Sequence, residues 1–219
     1  MSFTVVAISR TSAAGGERIG HEVARALAFR YVDEEIVSKA AEKAAVDAKL
    51  ISDLEHGEGA ARRVMESLRH AWTLHDPFSH LFGRSAEEHY GQHIASTPIT
   101  SDGYRRLIRT VIEETAREGR AVIVAHAASM ALARMRNVLR VLITASPGTR
   151  AAHLSQLGGL LTEEQATVAV RESDAARHAY FRDFYDVEQE LPTHYDLVVN
   201  TDRLKIDKAV GVIISTVKG

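Results

Sequence analysis

Phe3-Thr-Val-Val-Ala-Ile-Ser9, continuing as Arg10-Thr-Ser-Ala-Ala-Gly15-Gly16-Glu-Arg-Ile-Gly20, is the stretch that decides the fold. A β-branched apolar run feeds a loop of small residues, and the loop opens into a helix carrying Ile19, Val23, Ala26 and Leu27. Strand, glycine loop and helix start form the geometry in which free backbone N–H groups and the positive helix end converge on a phosphate. The strict pattern G-x-x-x-x-G-K-[ST] is not met. Laid over it, Ser12-Ala13-Ala14-Gly15 falls on the glycine-rich segment, Gly16 on the lysine, and Arg18 on the Ser/Thr that would hold Mg²⁺. A guanidinium offers a metal no lone pair. Two readings stay open for the loop by itself: a phosphate cradle, or a tight βα turn whose glycines only permit close helix–strand packing.

Three further short apolar runs read as buried parallel strands: Arg120–Ala125, Val138–Thr144 and Tyr195–Asn200. Helical patterns lie between them. Leu107, Ile108, Val111 and Ile112 share one face of a helix that stops at Glu118-Gly119, and Ile206, Ala209, Val210, Ile213 and Ile214 do the same for a final helix. Such alternation predicts an α/β fold, a parallel sheet covered on both faces by crossover helices.

Composition sets the limits. The chain has 219 residues, 45% of them hydrophobic and 26% charged, which suits a globular protein with a substantial core. A formal net charge of −2 gives no basic field to argue for nucleic acid. Without cysteine there are no disulfides, thiolate metal sites or cysteine nucleophiles. No apolar stretch is long enough to span a bilayer and no leader pattern opens the chain, so the cytoplasm is the default location.

Two segments interrupt the α/β rhythm. Residues 36–103 show no strand pattern and read as a helical insertion, with helical pieces around Glu35–Leu54 and Gly59–Leu74. The insertion holds His70, His75, His80, His89 and His93. His89 and His93 have the i, i+4 spacing that can bring two imidazoles to one metal, but the pattern supplies no third ligand and no metal site is assigned. Trp72, with Val64, Met65 and Leu68, fits an apolar helix face.

The second segment runs from 146 to 192. There Gly158-Gly159 separates two helical patterns, and Thr162 with Gln165 has the form of a capping box. Arg171, Asp174 and Arg177 follow at intervals of three on neighbouring parts of one helix face. Two guanidiniums held by a carboxylate can neutralise phosphoryl oxygens. An exposed face with one intrahelical ion pair is the plainer alternative. Tyr180, Phe181, Phe184 and Tyr185 come next, either docking this helix on the core or joining two subunits as a homo-oligomer.

Taken in order, several blocks resemble the cytidylate kinase-like family, relatives of the nucleoside monophosphate kinases. They are Ala7–Arg10 with Gly15–Gly20, Tyr31–Ile36, Gly119–Val124, Asn137–Val141, Arg171–Arg177 with Tyr180-Phe181, and Tyr195–Leu204. The resemblance implies a P-loop kinase-type sheet flanked by helices, with a core of about 1–35, 104–145 and 193–219, a helical substrate-side insertion of about 36–103, and a helical lid of about 146–192. It further implies transfer of the ATP γ-phosphoryl group to CMP or a similar monophosphate, with Mg²⁺. Ser12, Ala13, Ala14, Gly15, Gly16, Glu17 and Arg18 would cradle the ATP phosphates. Arg171, Asp174 and Arg177 would close over the transferring group from an exposed helix face, so that losing Arg177 would spare folding. Arg10, Tyr31, Asp33 and His126 would border the acceptor.

The chain departs from that pattern at Gly16, at Arg18, and at Ala125-His126-Ala127, where Gly-Arg-Gly is expected. These departures favour an alternative: a nucleotide-binding regulatory module that keeps the fold and has lost the reaction. A kinase for a different phosphate acceptor is a third reading.

Overall fold

A computed structural model of the chain describes residues 3–33, 36, 39, 101–124, 127–156 and 161–219. The helical insertion expected at 36–103, its histidines and Trp72 lie almost wholly outside the described residues, as do His126 and Gly158-Gly159. The chain divides into two compact units, residues 1–34 with 112–219, and residues 35–111. The sheet belongs to the first.

In chain order the elements are β1 (Val5–Arg10), α1 (Gly16–Leu27), β2 (Arg30–Val32), α2 (Ser101–Glu118), β3 (Ala121–Ile123) and α3 (Ala128–Ala131). They continue with β4 (Val138–Thr144), α4 (Pro147–Gln156), α5 (Glu163–Tyr185), a 3₁₀ turn (Pro192–His194), β5 (Leu197–Asn200) and α6 (Ile206–Lys218). The five strands form one parallel sheet in the order β2-β3-β1-β4-β5, the P-loop kinase-type arrangement. Central β1 pairs Val5 with Ala121 on one side and Val5 through Arg10 with Val138 through Ile143 on the other. Neighbours β1 and β4 send their chains opposite ways, β1 toward β2 and β4 toward β5. A crevice opens beyond carboxyl ends where such a reversal occurs, the position in which open α/β sheets hold their ligands.

Period-two alternation explains the layering. Val6 and Ile8 of β1, with Leu139, Val141 and Ile143 of β4, pack with Ile19, Val23 and Ala24 of α1 and Ala209, Ile213 and Val217 of α6. The intervening Val5 and Ala7 are fully buried on the opposite face, where Ser9 hydrogen-bonds Ser129 of α3 at 2.5 Å. Both faces of the central strand are therefore covered, as its continuous apolar run requires.

One sequence expectation needs correcting, and one strand was not expected. The strand β2 falls within a block quoted above only for resemblance; three residues are too few to show a period. Strand β5 was expected as buried, but it is the sheet's edge, and its Val198 is 40% exposed. The capping box at Thr162 is present as read: Gln165 N–H donates to the Thr162 hydroxyl at 3.2 Å and Thr162 N–H to the Gln165 side chain at 2.9 Å.

α1 approaches the sheet closely at Gly20, where a Cβ would lie 2.6 Å from Val124 Cγ2 and 3.1 Å from Tyr31 Cε2. Gly20→Ala should therefore destabilise. Overpacking costs about 1–3 kcal/mol, against a helix-propensity gain of about 1 kcal/mol. A lowered midpoint in urea is expected; an unchanged or raised one would show that α1 can back away from the sheet.

Candidate functional site

The loop joining β1 to α1 is shaped by what its carbonyls do. Thr11 O accepts from Ala14 N–H at 3.2 Å, closing a turn in which Ala13 takes φ +59°. That left-handed conformation usually calls for glycine, and an alanine there carries about 1 kcal/mol of strain. Gly15 follows at φ +81° as the residue preceding α1. The Ala13 carbonyl meets His153 Nδ1 at 3.0 Å, and the Ala14 carbonyl accepts from the Thr201 hydroxyl at 2.9 Å. The same hydroxyl lies 3.2 Å from Thr144 O, tying the loop to the end of β4.

Two carbonyls of the loop are thus engaged by side chains from elsewhere. Ile19 N–H is the first to bond back, to Gly15 O at 3.0 Å. The amides of Gly16, Glu17 and Arg18 thus have no intrahelical acceptor, and they sit at the positive end of the α1 dipole. Ser12, Ala14 and Gly16 are buried, whereas Glu17 and Arg18 are exposed. In strict spacing Glu17, not Arg18, directly follows the lysine position held by Gly16. The corrected residue is one that can ligate a cation.

Arg10 ends β1 beside this loop, and its Nη2 donates to Glu17 Oε1 at 2.5 Å. On the same side, the Tyr31 hydroxyl donates to Asp33 Oδ2 at 3.2 Å, and the Tyr31 ring stacks on His21 with centroids 3.5 Å apart. Burial, then the charges of Asp33 and Glu17, hold the Tyr31 phenol protonated far above its ordinary range, with Arg10 opposing them. Tyr31 therefore feels the charges of Asp33, Glu17 and Arg10. Sequence reasoning singled out all four.

The expected ladder on α5 is not built as read. Asp174 does not hold Arg171 and Arg177; it accepts two parallel bonds from Arg150 of α4, at 2.9 and 2.6 Å. Arg150 is 3% exposed and also donates from Nε to Ala145 O at 3.1 Å, just past β4. Arg177 faces the sheet instead of solvent. Its Nε and Nη2 each donate to Glu190 at 2.7 Å, and Nη1 donates to the Arg10 carbonyl at 2.7 Å. Its guanidinium carbon lies 4.6 Å from the centre of the Phe181 ring. Of the three, only Arg171 is exposed and without an ion pair among the described residues.

Intervals of three place side chains on one helix face but do not say which partner arrives from elsewhere. Arg150, Glu190, His153 and Thr201 were missed as site residues for the same reason: each acts across the fold, and no local spacing marks it. Of the aromatics after the ladder, Tyr180 and Phe181 are buried with Ala127, with Phe184 and Tyr185 packed against them. Docking of α5 on the core is the observed use.

Glu190 also accepts from the Tyr195 hydroxyl. Burial raises the Glu190 pKa, but the Arg177 fork outweighs it and holds the carboxyl below the usual range. Burial and the Glu190 charge together push the Tyr195 phenol up. Among the described residues no cluster of three or more His, Asp or Glu could hold a metal ion, and no helix is long and apolar enough to cross a membrane.

The model of the cytidylate kinase-like family matches residues 5–203. No curated protein matches the chain. Among solved structures, an uncharacterized protein from Eubacterium ventriosum ATCC 27560 has a TM-score of 0.62 at 13% identity, with 98% of each chain covered, so it shares the fold. Shikimate kinase from Bacteroides thetaiotaomicron has a TM-score of 0.49 at 15% identity, with 99% of each chain covered. Dephospho-CoA kinase from Campylobacter jejuni has a TM-score of 0.46 at 11% identity, covering 99% of this chain and 98% of that one. These last two likenesses are slight, and nothing below rests on them.

Arg177→Ala should cost up to about 3–5 kcal/mol of stability, because it strands a carboxylate whose side chain is only 12% exposed. That reverses the sequence expectation of an exposed position whose loss spares folding. Denaturant unfolding measures it, and a loss below about 1 kcal/mol would match a surface pair instead. The pH dependence follows from Glu190. Its folded pKa is depressed, so its contribution is complete above the unfolded value of about 4.3 and is lost as pH falls through the lower folded value. The gap in melting temperature between wild type and Glu190→Gln should accordingly narrow as pH drops below about 4.3. A gap that stays constant would mean that Glu190 is not ionised in the folded protein.

Proposed function

This chain belongs to the cytidylate kinase-like family, and we propose on that footing that it binds ATP on the loop of Ser12–Arg18 and transfers the terminal phosphoryl group to a nucleoside monophosphate. One observation carries the reading. The Ala13 and Ala14 carbonyls are engaged by His153 and Thr201, and the amides of Gly16, Glu17 and Arg18 are grouped at the start of α1. Amides so placed give an anion fixed, pre-oriented donors, and phosphoryl transfer needs little else from a protein than positioning and charge stabilisation.

The acceptor would lie beside Tyr31 and Asp33, with CMP suggested by the family alone. Tyr31 stays a neutral donor, because burial and its carboxylate neighbours keep its proton on. Asp33 would hold Mg²⁺, since such ions take few protein ligands beyond one or two carboxylates, and the bound ion would offset phosphate charge. Arg171, exposed and without an ion pair among the described residues, is the α5 side chain available to a phosphate. Asp174 and Arg177 would contribute by holding α5 in place. A cytoplasmic enzyme acting on soluble nucleotides agrees with this chemistry.

A second reading rests on Gly16 and Arg177. The first brings no charge to the phosphate position, and the second is already committed to Glu190. It makes the chain a nucleotide-binding module without turnover.

A coupled assay with ATP, Mg²⁺ and a panel of monophosphates, run beside calorimetric titration with ATP, separates the two. Monophosphate-dependent ADP release is expected from the kinase. Saturable ATP binding without ADP release would establish the module, and the absence of both would end both readings.

A further inference from the structure

Gly16 occupies the place of the phosphate-binding lysine, and the structure gives a steric reason for its having no side chain. A Cβ at residue 16 would lie 2.6 Å from Arg10 Cβ, 3.0 Å from its Cδ and 3.3 Å from its Cγ. The stem of Arg10 already fills the volume from which a lysine at 16 would set out. The two side chains exclude each other in this arrangement.

Arg10 is also aimed. It ends β1 at the carboxyl edge of the sheet, and its guanidinium lies along the first turn of α1, donating to Glu17 at 2.5 Å. Its main-chain carbonyl is held by Arg177 at 2.7 Å, which fixes the base of the side chain. Its charge reaches Tyr31, whose hydroxyl bonds Asp33. The cation thus bonds the first turn of α1, and its charge is felt at Tyr31.

We infer that Arg10 supplies from the end of β1 the positive charge that a P-loop lysine supplies from the start of the helix, binding polyphosphate oxygens beside the Gly16 amide. The inference rests on the reading that the loop takes ATP. It moves Arg10 from the border of the acceptor, where resemblance placed it, to the phosphates of the donor. A guanidinium is well matched to polyphosphate, since it stays charged at any working pH and its planar fork can give two parallel bonds to two phosphate oxygens. Glu17 is one resting partner. With its side chain 54% exposed, it holds Arg10 through a screened surface pair that a polyphosphate of higher charge can displace.

Calorimetric titration with ATP of wild type, Arg10→Gln, Glu17→Gln and the double variant tests this, with melting temperatures recorded for each. Arg10→Gln should weaken ATP binding by about 10–100-fold, the scale of a lost charged hydrogen bond. Glu17→Gln should tighten binding in the wild-type background by releasing Arg10, and by clearly less once Arg10 is gone. A merely structural Arg10 would not produce that coupling. Wild type that binds ATP while Arg10→Gln binds within about twofold of it would overturn the role of Arg10 alone, being far below the charged-bond scale. Equal tightening by Glu17→Gln in both backgrounds would do the same. Wild type that binds no ATP would overturn the underlying function and not just this residue's part in it. Should Arg10→Gln fail to fold, Arg10→Lys replaces it, with weaker ATP binding expected from loss of the fork and unchanged binding counting against the inference.

Discussion

One guanidinium, on a side chain only 16% exposed, ties together elements at the sheet's carboxyl edge. Arg177 takes a carboxylate fork from Glu190 and reaches the Arg10 carbonyl, so a helix, the approach to β5 and the end of β1 are all fixed by a single planar group. Removing a guanidinium and a carboxylate from water costs several kcal/mol each, and only good geometry with further hydrogen bonds recovers it. Here the bonds are present: two between the charges, one to a carbonyl, and one from the Tyr195 hydroxyl to Glu190. Since Arg10 leads into the loop between β1 and α1, the placing of that loop draws on a contact made 167 residues away in sequence.

The loop itself is held by restraint more than by intrinsic preference. Ala13 sits in a conformation glycine would adopt more readily, yet its carbonyl is fixed by His153 and the next one by Thr201. Strain of this size persists where surrounding contacts over-determine the backbone. α4, β4 and the turn after β5 thereby share control of a five-residue segment.

What the sequence disclosed follows from how local each signal is. Short, nearly continuous apolar runs marked β1 and β4 because both faces of a central strand are covered, and helical periodicity marked α1 and α6 because burial of one face repeats along a helix. The Thr162–Gln165 cap was readable because both halves of it lie within one turn. Strand β2 carried no period. The Arg171-Asp174-Arg177 spacing was real but misjudged: Asp174 answers to Arg150 and Arg177 to Glu190, partners that only folding brings within reach. The missing lysine was plain to see. That Arg10 occupies its space was not, since no spacing rule links the last residue of a strand to the first residue of the helix after it. A family match over residues 5–203 narrowed the architecture, while the pairing of side chains is visible only in the folded chain.

The two ionic ties of α5 fall within a single turn of it, at Asp174 and Arg177, with the capped start at Glu163 left well beyond them. At 1.5 Å per residue that start lies about 21 Å along the axis from Arg177. Ala166 and Val170, 0% and 2% exposed, lie along that stretch, so the ion pairs and an apolar face seat the helix at separated points along its length.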